Sequence, residues 1–357
     1  MALEDVRYAI AYIIMMGGTP LALLLFLVGM RRRISSLPLG GWPILLAAYF
    51  GYRTIEEKYL LDLSKDYSKR FFKLMQWLIW PLCKKQGGGR ILFQLPQDEA
   101  FKAFKTPHVF AAAPHPPGMP LFRLAFQGAL YDLQPDYKAG IALGARIIFR
   151  VPGLRELYHN FALEGTPENF ARVIQAGRSV SLMPGGVPES MVSRPGNLLK
   201  VVTFHTGFIR LALEHGVPIV PNFGLGENNH FEQIRPPEWL AQVINKFTGG
   251  WYPTLFKGSY FVIPNPSPVA YIVGKPVEMP RIKNPTMEDI EIHRVRFYSG
   301  MRDSVLQLKD EAGDPDIQVE FLGLPQLNIN VKKEMNDTVE VNKEMNDVKE
   351  PIAAARL

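Results

Sequence analysis

A single cysteine, Cys83, stands among 357 residues. One thiol cannot form an internal disulfide, so the folded part is expected in a reducing compartment, with Cys83 acting as a small buried hydrophobe. Paired Cys/His spacings of the zinc type are missing, as are an RNP-like aromatic segment and any long Lys/Arg block. Metal and nucleic-acid chemistry therefore have no foothold, and neither is expected. The glycine fingerprints of dinucleotide and P-loop sites are absent too, and so is the Gly-x-Ser-x-Gly elbow that activates hydrolase serines.

What is present is apolar: 47% hydrophobic residues against 21% charged excludes a wholly disordered chain and suits one large domain with appendages. The formal charge of +6 could serve nucleic acid, anionic lipid or a phosphate-rich ligand. Its placement decides, because the basic residues sit beside apolar and aromatic stretches, as on membrane-surface proteins.

Tyr8 to Met30 carries no charge over 23 residues, enough for a helix to cross a hydrocarbon core. Pro20 within it removes an amide donor and predicts a kinked or re-entrant span. Arg31, Arg32 and Arg33 follow where a signal peptide would place a small-residue cleavage site, so a retained anchor is expected. A second uncharged stretch, 38–52, is shorter and broken by Gly40, Gly41 and Pro43, and reads as re-entrant or interfacial. The charge asymmetry places the following side in the cytosol. Residues 1–60 are thus read as a membrane anchor. Residues 61–90 follow as an amphipathic segment, with Trp77 and Trp80 bracketed by lysines; it reads as a helix in the headgroup region, an ordinary core helix being the alternative.

From Ile91 short apolar strands alternate with amphipathic helices, predicting an α/β architecture over 91–325. Strands are expected at His108–Ala113, Ser179–Met183, Val217–Phe223 and Val269–Val273. Helices are expected from Thr166 and Pro167 to Gly177, over Phe208–His215 up to Gly216, and from Thr286 towards Leu308. The last stretch, 326–357, is rich in charge and repeats Lys-Glu-Met-Asn-Asp at 333–337 and 343–347, so it reads as a solvated tail outside any core.

Three blocks carry chemistry. Ala113-Pro114-His115-Pro116-Pro117-Gly118 places one imidazole on a proline-stiffened loop at a strand end, a fit place for a base, although a lone histidine near prolines is more often structural. Met183-Pro-Gly185-Gly186-Val-Pro-Glu189-Ser190 allows close backbone approach and could present amides to an oxyanion; a plain tight turn is the other reading. Arg194-Pro-Gly-Asn197 leads to Gly207-Phe208-x-x-Leu211-Ala212, and then to Phe223-x-x-Gly226-Glu227-Asn228.

In this order the blocks resemble the type 2 diacylglycerol acyltransferase family, within the lysophospholipid acyltransferase-like superfamily, over about Pro107 to Ala312. Arg150-Val-Pro-Gly-Leu-Arg155-Glu156 and Val273-Gly-Lys-Pro276 fit the same pattern. The resemblance implies a sheet flanked by helices and a membrane-bound, acyl-coenzyme A-dependent O-acyltransferase, most directly converting diacylglycerol to triacylglycerol, at the endoplasmic reticulum with its catalytic domain facing the cytosol. It needs no cofactor beyond acyl-coenzyme A as co-substrate; its partners are that thioester, a lipid alcohol and the bilayer, with a homo-oligomer left open. It implies His115 as general base, matching the family's His-Pro-His-Gly motif with one histidine only. The aspartate that superfamily relatives carry five residues on is here Pro120, which leaves Glu189 as the candidate orienting residue. Gly118, Arg150, Arg155, Gly185, Gly186, Ser190, Arg194, Glu227 and Asn228 are the candidate substrate contacts, with Arg178 and Lys200 as further phosphate partners. Glu164-Gly165-Thr166 looks like an acceptor motif but is explained by the helix start. A lipid hydrolase using Ser190 and a non-catalytic lipid-binding relative are the competing readings.

Overall fold

The computed structural model describes residues 68–85, 87–116, 121–150, 158, 161–234, 237, 239, 255–258 and 264–329. The expected span 8–30, the segment 38–52 and the repeated tail motif lie outside the described residues. Among the described residues no helix is long and apolar enough to cross a membrane.

The elements follow in chain order as α1 (Ser68–Lys85), β1 (Arg90–Phe93), α2 (Gln97–Ala103), β2 (Val109–Ala113), α3 (Leu121–Leu133), β3 (Ile141–Gly144), β4 (Ala162–Glu164), α4 (Pro167–Gln175), β5 (Val180–Leu182), α5 (Gly186–Val192), β6 (Leu198–Val202), α6 (Gly207–His215), β7 (Ile219–Leu225), β8 (Glu232–Ile234), β9 (Leu255–Lys257), β10 (Ala270–Val273), α7 (Met287–Ala312) and β11 (Gln318–Leu322). Seven strands form one sheet in the order β1-β10-β7-β2-β5-β3-β4. β7, β2, β5, β3 and β4 run parallel, while β10 pairs antiparallel with β7 and β1 parallel with β10.

The central strands β2 and β7 are buried at every position, as continuous apolar runs are when helices cover both faces of a parallel sheet. One face packs on α4, α6 and α7 through Val109, Ala111, Phe170, Ile209 and Phe297. The other carries Phe110 and Tyr271 against α1 and α3. A Cβ on Gly128 of α3 would collide with the Phe72 carbonyl of α1, so glycine lets these two helices touch.

Helix ends follow local chemistry. Thr166 accepts from the Asn169 N–H with Pro167 at the first position of α4, and Thr286 with Asp289 closes a capping box at α7. Gly216 ends α6 at φ +64°, a left-handed conformation open to glycine.

Packing reaches both ends of the described chain. α1 packs Phe72, Met75, Leu78, Ile79 and Cys83 into the core while Leu74 and Trp77 stay exposed. At the other end Leu327 and Ile329 are buried and Ile329 bridges to Val319, so packing continues past the boundary expected at residue 325.

Candidate active site

His115 lies just beyond the carboxyl end of β2, after a cis Ala113–Pro114 peptide. Open parallel sheets bind ligands at the carboxyl ends of their strands, and β5 ends on the same side with the Gly185-Gly186 turn. The His115 N–H donates to Glu189 Oε1. Its ring Nδ1 is 3.1 Å from the Pro116 carbonyl oxygen. A carbonyl only accepts, so Nδ1 carries the proton and Nε2 holds the lone pair. Burial presses the half-buried imidazole down to about 4, Arg123 adding to the push, which leaves it neutral at pH 7.

Glu189 belongs to α5, which starts over Gly185 and Gly186. A Cβ on Gly185 would collide with the Glu189 carboxylate, so this glycine makes the room that the side chain fills. Its second oxygen, Oε2, accepts from the Val202 N–H at 2.6 Å. Burial drives the carboxyl up to about 7, against the pull of the two amides and Arg123. The expected orienting carboxylate therefore meets the backbone of His115, and the ring is oriented by a main-chain carbonyl. Ser190, next on the helix, donates its hydroxyl to the same Pro116 oxygen at 3.3 Å.

Beneath the loop lies a buried polar cluster. Arg123, in the first turn of α3, is 5% exposed. Its Nη2 donates to the carbonyls of Ala113 at 3.0 Å and Pro114 at 2.7 Å. Nη1 reaches Asn222 Oδ1 at 3.1 Å, and Glu227 Oε2 sits 2.8 Å from Nη2 as counter-charge. Glu227 Oε1 accepts from the Tyr271 hydroxyl at 2.6 Å. The Tyr271 ring faces the guanidinium at 5.8 Å and stacks on Phe126. Burial drives Glu227 upward while Arg123 draws it back. Gly224 makes room here: a Cβ would sit 2.5 Å from Glu227 Oε2. Removing one partner from such a buried pair costs about 3–5 kcal/mol.

A profile described as diacylglycerol acyltransferase matches residues 109–321, from the first residue of β2 to within β11. The chain belongs to the diacylglycerol acyltransferase family. It is 29% identical over 191 residues to diacylglycerol O-acyltransferase 2 of Xenopus laevis, covering 49% of this chain and 53% of that relative. It is 30% identical over 152 residues to acyl-CoA wax alcohol acyltransferase 2 of Homo sapiens, covering 40% and 46%. The chain spans about half the length of the curated relatives it matches. Among solved structures, the crystal structure of the 1-acyl-sn-glycerophosphate acyltransferase PlsC from Thermotoga maritima aligns with 86% of this chain and 99% of its own at 13% identity, with a TM-score of 0.40.

The other motif residues of this family member divide by location. Glu227 belongs to the buried cluster. Asn228 donates to the carbonyls of Arg194 and Gly196, both at 2.8 Å, and so fastens the 194–197 loop. Arg194 donates to the Met191 and Ser193 carbonyls and to Gln233. The Gly186 N–H is taken by the Met183 carbonyl, so this amide is used inside the turn. Lys200 pairs with Glu320. Arg178 precedes β5 and donates to the Ala139 carbonyl at the opposite end of the sheet from His115. Gly118, Arg155 and the Arg150 side chain lie outside the described residues. Among the described residues no cluster of His, Cys, Asp or Glu could hold a metal ion, and Ser190 has no imidazole partner. Sequence reasoning missed Arg123, Asn222 and Tyr271. The available signal was an arginine inside the apolar run Leu121-Phe-Arg-Leu-Ala-Phe126, a place where a charge needs a partner.

Proposed function

We propose that this chain esterifies the free hydroxyl of a lipid with an acyl group from acyl-coenzyme A, most directly converting diacylglycerol to triacylglycerol. The observation that carries the reading is His115: a neutral imidazole inside the family-matched stretch, on a loop beyond a central parallel strand, with Nδ1 satisfied and Nε2 holding the lone pair. The sheet with this loop at its carboxyl end suits the lysophospholipid acyltransferase-like architecture.

Nε2 of His115 takes the proton of the lipid hydroxyl as its oxygen attacks the thioester carbonyl carbon. The tetrahedral adduct collapses, the carbon–sulfur bond breaks, and the imidazolium returns its proton to the departing sulfur, giving ester and free coenzyme A. No covalent acyl-enzyme is needed. Ser190 spends its hydroxyl on a carbonyl, which argues against the hydrolase reading. Arg150 and Arg155 are proposed for the coenzyme phosphates. Residues 8–30 are proposed as the anchor holding the site at the cytosolic face of the endoplasmic reticulum, where a bilayer-dissolved acceptor meets a water-borne thioester. The exposed Trp77 and Leu74 of α1 suit a helix resting against that surface.

The test is product formation by membranes containing the full chain, supplied with labelled oleoyl-coenzyme A and a panel of monoacylglycerol, diacylglycerol and fatty alcohol. Ester that forms with the wild type and vanishes in His115→Ala at equal protein level is the expected result. Free fatty acid as sole product would select the hydrolase, and lipid binding without turnover the non-catalytic relative.

A further inference from the structure

His115 is gripped through its backbone on both sides. Its own N–H is taken by Glu189 from α5, while the two preceding carbonyls, of Ala113 and Pro114, are taken by Arg123 from α3. Three consecutive residues are thereby fixed by two buried side chains that approach from different helices. The ring itself, by contrast, meets only main-chain groups, the Pro116 carbonyl and its own backbone. Whatever sets the direction of Nε2 must therefore act through the main chain.

A planar guanidinium can serve several fixed acceptors at once, as a single ammonium cannot. Arg123 uses this: one nitrogen spans the two carbonyls and meets Glu227, the other reaches Asn222 on β7. Tyr271, itself tied to Glu227 and backed by Trp80 and Phe126, closes one face of the group. The cation is matched by an anion and held by two strands, so it has little freedom to follow the loop; the loop must follow it.

We propose that Arg123 is a positioning residue for the reaction, fixing the Ala113 and Pro114 carbonyls so that the His115 imidazole leaves the strand in its productive direction. The inference rests on the reading of His115 as the base. It locates the orienting function in a charged pair beneath the loop, in a chain whose motif has Pro120 where relatives place an aspartate.

The experiment uses the full chain in membranes with oleoyl-coenzyme A and diacylglycerol, comparing wild type, His115→Ala, Arg123→Lys, and Arg123→Met combined with Glu227→Gln. The combined variant removes both charges and leaves neither one buried alone. Its melting temperature is expected close to that of the wild type, whereas kcat falls about tenfold to a hundredfold, the cost of a misplaced catalytic group, and KM for the thioester changes less than about threefold. Arg123→Lys keeps the charge but loses the span, and should show the same split. With the nearby cation gone, the acid limb of the rate profile should also move to higher pH in the combined variant but stay in place in Arg123→Lys, which loses the same span and keeps the charge. Wild-type kcat in the combined variant, or losses that simply track melting temperature, overturns the role of Arg123 while the base reading stands. No ester from the wild type, or full activity in His115→Ala, overturns that reading and this inference with it.

Discussion

Glu189 offers two acceptor oxygens to two backbone donors, the N–H groups of His115 and Val202. Glutamine has the same shape but only one acceptor, so Glu189→Gln must leave one of these amides facing an NH2 group. An unsatisfied buried donor costs about 1–3 kcal/mol, and a loosened His115 loop should lower kcat about tenfold or more. Turnover and urea unfolding measured together check this: full activity at reduced stability would confine Glu189 to holding the fold. Gly185→Ala should give the same phenotype by a different route, because the new methyl displaces the Glu189 carboxylate. The Gly-Gly-x-x-Glu spacing was legible in the sequence, but its reason was not: Glu189 folds back over Gly185 only once α5 has formed. Arg123 was illegible for the opposite cause. Its partner Asn222 is 99 residues away, and no local pattern records which strands the sheet will set side by side.

Elements were legible where their ends are written in local chemistry. Thr166-Pro167, Thr286 with Asp289, and Gly216 each mark a helix boundary through contacts within a few residues, and β2, β7 and β10 announce themselves as apolar runs. β10 and β1 run against the rest of the sheet, a direction set by connections that the strand sequences do not carry. α1 was ambiguous because an apolar stripe reads alike whether lipid or protein covers it. Protein covers one side of it, where Gly128 brings α3 against α1, while Leu74 and Trp77 stay exposed. Gly128→Val should force the helices apart and destabilise by about 1–3 kcal/mol, with activity falling as well, since α3 carries Arg123 five residues earlier. Thr286→Ala, at the start of a helix distant from the His115 loop in sequence, should lose about 1 kcal/mol from its cap with kcat unchanged. Melting curves and initial rates on the two variants separate these outcomes.

At the scale of the molecule, three histidines among the described residues are held neutral by burial: His108 before β2, His115 beyond its other end, and His230 behind Phe122, each pressed from 6.5 down to about 4. In the unfolded chain each takes up a proton as pH drops through about 6.5; in the folded chain it resists until about 4. Their contribution to stability is therefore fully present above 6.5 and is lost as pH falls through that window. Glu189, raised from 4.5 to about 7, works the other way, favouring the folded state at low pH and losing that advantage as pH rises through 7; Glu227 adds to the same side by direction. Three groups against two leave a net uptake of about one to two protons on unfolding, a slope of about 1–3 kcal/mol per pH unit between pH 5 and 6. Urea unfolding across this range should show stability falling with acid, and His230→Gln, which removes a titrating group whose Nε2 has no partner among the described residues, should flatten the fall by about one proton. A slope unchanged by that substitution would mean His230 titrates alike in both states, and so is not buried as a neutral ring.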